Sequence, residues 1–125
     1  MKQPHIFNFT VAYADTDAFG IMYHARHIEV AERARSNWSK DVKIPDGDAG
    51  FVVHDLNIKY MQPLLLGDDF VVETVPTKIG TAFVTIEQKF VKDDKICAIM
   101  NITIAYLGGD RHPKAVPDSI INALS

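Results

Sequence analysis

Apolar residues fall at Phe7, Phe9, Val11 and Tyr13 with Asn8 and Thr10 between them, a period of two that predicts a half-buried strand from His5 to Tyr13. Ala14 to Gly20, Ala-Asp-Thr-Asp-Ala-Phe-Gly, breaks the alternation with turn formers and a glycine and reads as a loop. Beyond it Ala25, Ile28, Ala31, Ala34 and Trp38 recur every three or four residues. No Gly or Pro falls between Ile21 and Pro45, so one amphipathic helix is predicted there. Glu29 and Arg33, four apart, are expected to pair on its surface, worth only about 0.2–0.5 kcal/mol. Asp41 to Gly50, with Pro45, Gly47 and Gly50, leads out of the helix.

The chain beyond Gly50 is β in character. Leu56, Ile58 and Tyr60 alternate with Asp55, Asn57 and Lys59. Phe70 to Val75 is rich in strand formers, Val84 and Ile86 flank Thr85, and Ile96 to Leu107 is long and apolar. Gly80 and the run Lys92-Asp93-Asp94-Lys95 are short enough to be hairpin turns, which makes the sheet mainly antiparallel. Residues 1–125 are thus expected to form a single α+β domain, a five-stranded sheet with one long helix covering a face. Both faces of the last strand carry apolar residues, so a subunit interface is expected to take the surplus. The tail holds a final helical turn at Ser119 to Leu124.

Composition narrows the function. Hydrophobic residues make up 47% of the chain and charged ones 23%, enough apolar mass for a core and too little charge for disorder. The formal charge of −3 argues against nucleic acid as the principal partner. Cys97, the only cysteine, sits in an apolar run and is expected to be structural. It allows neither an internal disulfide nor a Cys-rich metal site and fits a reducing cytoplasm. The start of the chain lacks the apolar block of a signal peptide, and Ile96 to Leu107 falls short of the roughly 20 residues of a membrane-spanning helix.

The Gly-rich signatures of phosphate-binding loops and the serine nucleophile elbow are absent. The four serines lie on the helix (Ser36, Ser39) or in the tail (Ser119, Ser125). The dense polar cluster runs from Tyr13 through Asp15, Thr16, Asp17 and Gly20 to Tyr23 and His24, where strand meets helix. Short oxygen side chains there satisfy free backbone N–H groups, the turn reading of Asp15, Thr16 and Asp17. The chemical reading holds one carboxylate as a general base or nucleophile while the first N–H groups of the helix attract negative charge at the same spot. The two readings are compatible for different Asp residues. His24 and His27, three apart, have metal-ligand spacing with Asp17 as a third candidate ligand, but no carboxylate follows at helical spacing, and no metal is expected.

Taken together, Tyr13-x-Asp-Thr-Asp17-x-x-Gly20-x-x-Tyr23-His24, followed by Glu32-Arg-Ala-Arg35, resembles the 4-hydroxybenzoyl-CoA thioesterase-like hotdog family. Within it, the chain is most similar to the small acyl-CoA thioesterases associated with the Tol-Pal envelope system. Asn57-Ile-Lys-Tyr60-x-x-Pro63, Gly67-Asp68 and Pro117-x-x-Ile120 agree, so the resemblance spans nearly the whole chain. It implies a long helix wrapped by an antiparallel sheet, homodimers or homotetramers, and sites between subunits. It further implies hydrolysis of an acyl-CoA thioester to acid and CoA, with CoA as part of the substrate and no cofactor.

By position, Asp17 matches the family's catalytic carboxylate, and the N–H of residue 24 matches the donor that polarises the thioester carbonyl. His24 joins Asp17 in the catalytic pair, while Tyr13, Gly20, Tyr23 and Lys78 are assigned to substrate binding. The chain departs from the pattern at His27, where Tyr is usual, and at Lys78-Ile79-Gly80-Thr81, where relatives carry more basic residues near the CoA phosphates. Asp17 either attacks the carbonyl to form an anhydride or takes a proton from water, and the general base is favoured. The alternative function is a non-hydrolytic protein that binds acyl thioesters of CoA or acyl carrier protein. A hotdog hydratase is disfavoured because Asp17 and His24 are seven apart.

Overall fold

Five strands, β1 (His5–Thr10), β2 (Gly50–Tyr60), β3 (Asp69–Ile79), β4 (Phe83–Lys92) and β5 (Lys95–Leu107), form one antiparallel sheet in the order β1-β3-β4-β5-β2 in the computed structural model, which describes residues 3–125. The β4–β5 turn is set by Asp93 (φ 49°) and Asp94 (φ 63°), the pair of left-handed residues that matches the twist of a two-residue hairpin. The strands are longer than alternation suggests: β2 begins at Gly50, and β3 continues to Ile79 past a bulge between Pro76 and Lys78. Strand β1 stops at Thr10, short of Tyr13, because Tyr13–Asp15 turn into a single 3₁₀ turn.

Helix α1 (Arg26–Trp38) packs one face through His27, Val30, Ala31 and Ala34, the i, i+3, i+4, i+7 stripe of a helix lying on a sheet. The two alanines let it lie close over Gln88, Phe90 and Met100, all fully buried. A second helix, α2 (Asp118–Leu124), places Ile120 and Leu124 against Val84, Ile86, Ile102 and Tyr106, so the sheet is covered by two helices rather than one. The Tyr106 hydroxyl donates to Asp48 at 2.7 Å, and Lys114 Nζ pairs with the same carboxylate at 2.8 Å, tying the tail to the loop before β2.

Most of β5's apolar residues are buried. Strand β5 runs between β4 and β2, hydrogen-bonded on both sides, with Ala98, Met100 and Ile102 fully buried. Exposed apolar side chains on the edge strand β2 include Val52 (45%), Val53 (55%) and Tyr60 (45%); others lie in loops, at Tyr13 and Phe19, and at Ile96 at the start of β5. Glu29 pairs with Arg26 at 2.9 Å and not with Arg33, because Arg26 is already anchored on Asp15 and on the Ala14 carbonyl. Among the described residues, no helix is long and apolar enough to cross a membrane.

Candidate active site

The segment between the 3₁₀ turn and α1 is a small folded loop. Thr16 and Met22 pair across it, Ile21 pairs with Leu65, and the Met22 side chain is buried in the core. Asp17 organises the turn: its Oδ1 accepts the N–H groups of Phe19 (2.9 Å) and Ile21 (3.2 Å), while its own N–H donates to the Ile21 carbonyl. Gly20 closes the turn at φ +75°, which an L side chain rarely adopts, and its carbonyl receives the Leu66 N–H. This pairing holds residues 16–22 out of helical geometry, so α1 begins at Arg26 and His24 lies in the turn just ahead of it, not within the helix.

The two aspartates differ in surroundings. Asp15 is buried; its Oδ2 accepts the Ala12 N–H at 2.8 Å and its Oδ1 lies 3.4 Å from Arg26 Nε. Asp17 is exposed, and its Oδ2 makes no hydrogen bond among the described residues. The turn thus uses one oxygen of Asp17 and leaves the other open, reconciling the turn and chemical readings in a single residue.

Asp17 and His24 line one cleft of about 300 Å³, walled by Ile21, Met22 and His27 on one side and by Tyr60 to Pro63 on the other. Among the described residues, no side chain caps the N-terminal N–H groups of helix α1. The N–H groups of His24 and Ala25 take no hydrogen-bond partner among the described residues. The positive end of the helix is therefore available beside the carboxylate. Two contacts fix this turn: Tyr60 Oη donates to the His24 carbonyl at 2.6 Å, and His27 Nδ1 lies 3.2 Å from the Tyr23 carbonyl. Burial pushes the Tyr60 phenol above its ordinary 10.0, so it stays a donor well beyond neutral pH.

The His24 and His27 rings pack on different neighbours. The His27 ring is buried against Phe90 and Tyr60, at centroid distances of 5.2 and 4.9 Å, and the His24 ring packs on Tyr23 at 4.3 Å. Among the described residues, no three His, Cys, Asp or Glu side chains gather as metal ligands. Cys97 is buried, and burial raises its thiol pKa, the opposite of an activated nucleophile.

The other sequence-predicted site residues scatter. Tyr13 is 83% exposed on the loop's outer surface, and Tyr23 contributes its ring only to the packing on His24. Lys78 lies nine residues along β3 from the Asp69 end that adjoins this loop, about 30 Å away at the rise of a strand, and borders a separate depression with Pro76 and Ile79. Within one chain it is remote from Asp17. Tyr60 and His27 were not among the expected site residues. The Tyr60-x-x-Pro63 motif was a usable signal for the first, and the helix stripe that carries His27 hides the second.

Residues 11–124 match the model of the thioesterase-like superfamily. The acyl-CoA thioesterase YbgC of Haemophilus influenzae is 30% identical over 121 residues, 91% of this chain and 89% of that protein. Among solved structures, a probable thioesterase from Bartonella henselae is 26% identical with a TM-score of 0.81, covering 91% of this chain and 99% of that one. A thioesterase from Thermus thermophilus, solved with coenzyme A and Zn, shares the fold with a TM-score of 0.88 at 23% identity, covering 98% of each chain.

Proposed function

This chain belongs to the thioesterase-like superfamily, and from that premise we propose that it is an acyl-CoA thioesterase whose catalytic carboxylate is Asp17. The observation that carries the reading is the open Oδ2 of Asp17 in the same cleft as the turn that presents the unpaired His24 N–H. The thioester carbonyl accepts from that N–H, and the oxyanion formed on attack gains from fixed dipoles in a partly desolvated cleft. One such donor is typically worth about 10² to 10³ in rate. Asp17 takes a proton from water, the hydroxide adds to the carbonyl carbon, and the C–S bond breaks. The proton is returned to the CoA thiolate, leaving the free acid.

The His24 main chain, rather than its ring, supplies the donor. The reaction needs no cofactor, because CoA enters and leaves as part of the substrate. The working unit is a homodimer joined through β2, or a tetramer of two such pairs, since that strand carries an unpaired edge and exposed apolar residues. The single thiol, buried and unpaired, suits the cytoplasm.

Release of free thiol from a panel of acyl-CoA and acyl carrier protein thioesters tests the reading. Turnover abolished by Asp17→Asn supports it. Binding without thiol release would instead select a non-hydrolytic acyl-thioester-binding protein.

A further inference from the structure

A second cavity, of about 390 Å³, opens under the C-terminal half of α1, away from Asp17 in the same chain. Its floor is apolar, including Phe51, Val53 and Ile104, and its helical wall carries Glu32, Arg35 and Ser36. Arg35 is the unusual member. Its Nη1 donates to Gln88 Oε1 at 2.9 Å, and Gln88 is itself fully buried and pinned, its Nε2 donating to the Ala31 carbonyl (2.9 Å) and to Thr74 Oγ1 (3.1 Å). The guanidinium is therefore held in one orientation.

No carboxylate lies within ion-pair distance of Arg35 among the described residues; Glu32 acts on it only at longer range. With Nη1 taken by Gln88, the fork formed by Nε and Nη2 has no protein acceptor among the described residues, neither nitrogen is fully buried, and Arg35 lines the cavity. Burial pushes this guanidinium below its ordinary pKa, a cost that a ligand oxygen at the fork would offset.

We infer that this cavity takes the far end of the acyl group, and that Arg35 selects acyl groups ending in an acceptor oxygen, a hydroxyl or a carboxylate, over those ending in a methyl group. The inference rests on the thioesterase reading. Its geometry comes from β2. Gly50 to Val53 border this cavity or adjoin it and Tyr60 borders the Asp17 cleft, at opposite ends of one edge strand. Antiparallel pairing of two copies of β2 about their middle sets the Gly50 end of each beside the Tyr60 end of the other. An acyl group leaving the cleft at Asp17 thus enters the cavity of the second copy. A methyl terminus there strands a desolvated donor, the situation in which polar sites discriminate most strongly.

The test measures kcat/KM of the full chain on hexanoyl-CoA, adipoyl-CoA and the ω-hydroxy counterpart of hexanoyl-CoA, matched in chain length. At least one oxygen-ended substrate is expected to exceed hexanoyl-CoA by about tenfold or more. Preference for adipoyl-CoA alone identifies the carboxylate, and preference for the alcohol identifies the hydroxyl. Hexanoyl-CoA turned over as well as both oxygen-ended substrates would overturn the inference while leaving the thioesterase reading intact, whereas no thiol release from any thioester would sink that reading itself.

Arg35→Met keeps the apolar stem and should bring the substrate ratio close to one; if it fails to fold, Arg35→Lys, which keeps the charge without the fork, takes its place. Refolding Asp17→Asn copies together with the Arg35 variant should restore the preference, since each mixed dimer then has one site with Asp17 from one copy and Arg35 from the other. Activity without restored preference in the mixture would place Arg35 in the same chain as its Asp17 and overturn the shared cavity.

Discussion

His27 Nδ1 lies 3.2 Å from the carbonyl oxygen of Tyr23, and because a carbonyl only accepts, that nitrogen carries the proton. The Tyr23 carbonyl and the His24 N–H belong to one planar peptide unit, so the buried ring of His27 orients and polarises the donor proposed for the thioester oxygen. Arg26 N–H holds the same carbonyl at 2.9 Å, so loss of His27 loosens the plane without freeing it. His27→Phe should lower kcat by about tenfold with little change in KM, the signature of an interaction made mainly in the transition state. An unchanged kcat would remove His27 from this role.

The same residue carries a pH dependence of stability. Burial pushes the His27 imidazole below its ordinary 6.5, with the Tyr23 carbonyl partly opposing. The unfolded chain therefore takes up this proton near 6.5 and the folded chain only at lower pH. Between those points the unfolded state holds more protons, so stability falls as pH drops through that window and levels off below the folded value. Thermal melting on either side of pH 6.5 should show the decline, and His27→Phe should flatten it.

Asp17→Asn should reduce kcat by about 10² to 10⁴, because it preserves the turn-closing acceptor yet removes the charge that either mechanism needs. Its melting temperature should stay close to that of the parent. Asp15→Asn should do the reverse: the buried carboxylate pairs with Arg26 and holds the Ala12 N–H, so stability should fall by about 1–3 kcal/mol. Steady-state kinetics and melting of both variants separate the roles, and equal activity losses that track stability would reduce Asp17 to a turn residue.

Val53, 55% exposed on the β2 edge, is the position where a charge should disrupt subunit pairing with least harm to the fold. Val53→Lys should yield a folded monomer by mass measurement in solution, with turnover largely lost. A parent chain that is monomeric and fully active when dilute would remove the case for a shared site.

The loop's role as a turn was legible in the order of its residues, since Asp17, Gly20 and the short polar side chains between strand and helix are local signals. The start of the helix was not. Nothing between Ile21 and Arg26 breaks a helix, and what unwinds residues 21–25 is the pairing of Ile21 with the distant Leu65, with the Tyr23 N–H bonded to the Asp15 carbonyl. Lys78, which the resemblance set near the CoA phosphates, lies at the far end of β3 from the loop of its own chain, a separation that only the strand's length reveals.

Periodicity and turn residues determined an α+β chain with an amphipathic helix ahead of hairpin-linked strands, because which face of an element is apolar is written in the spacing of its own residues. Strand order was decided only in three dimensions. β2 and β3 are neighbours in sequence yet are separated by β4 and β5 in the sheet, because β2 pairs with β5 and β3 with β1. That choice makes β2 an edge with Val52 and Val53 exposed on it, and brings Tyr60 to the carbonyl of His24. Long-range pairing of this kind depends on the fit of whole faces and not on any local preference, which is why the site's walls could not be read from the residues that flank Asp17.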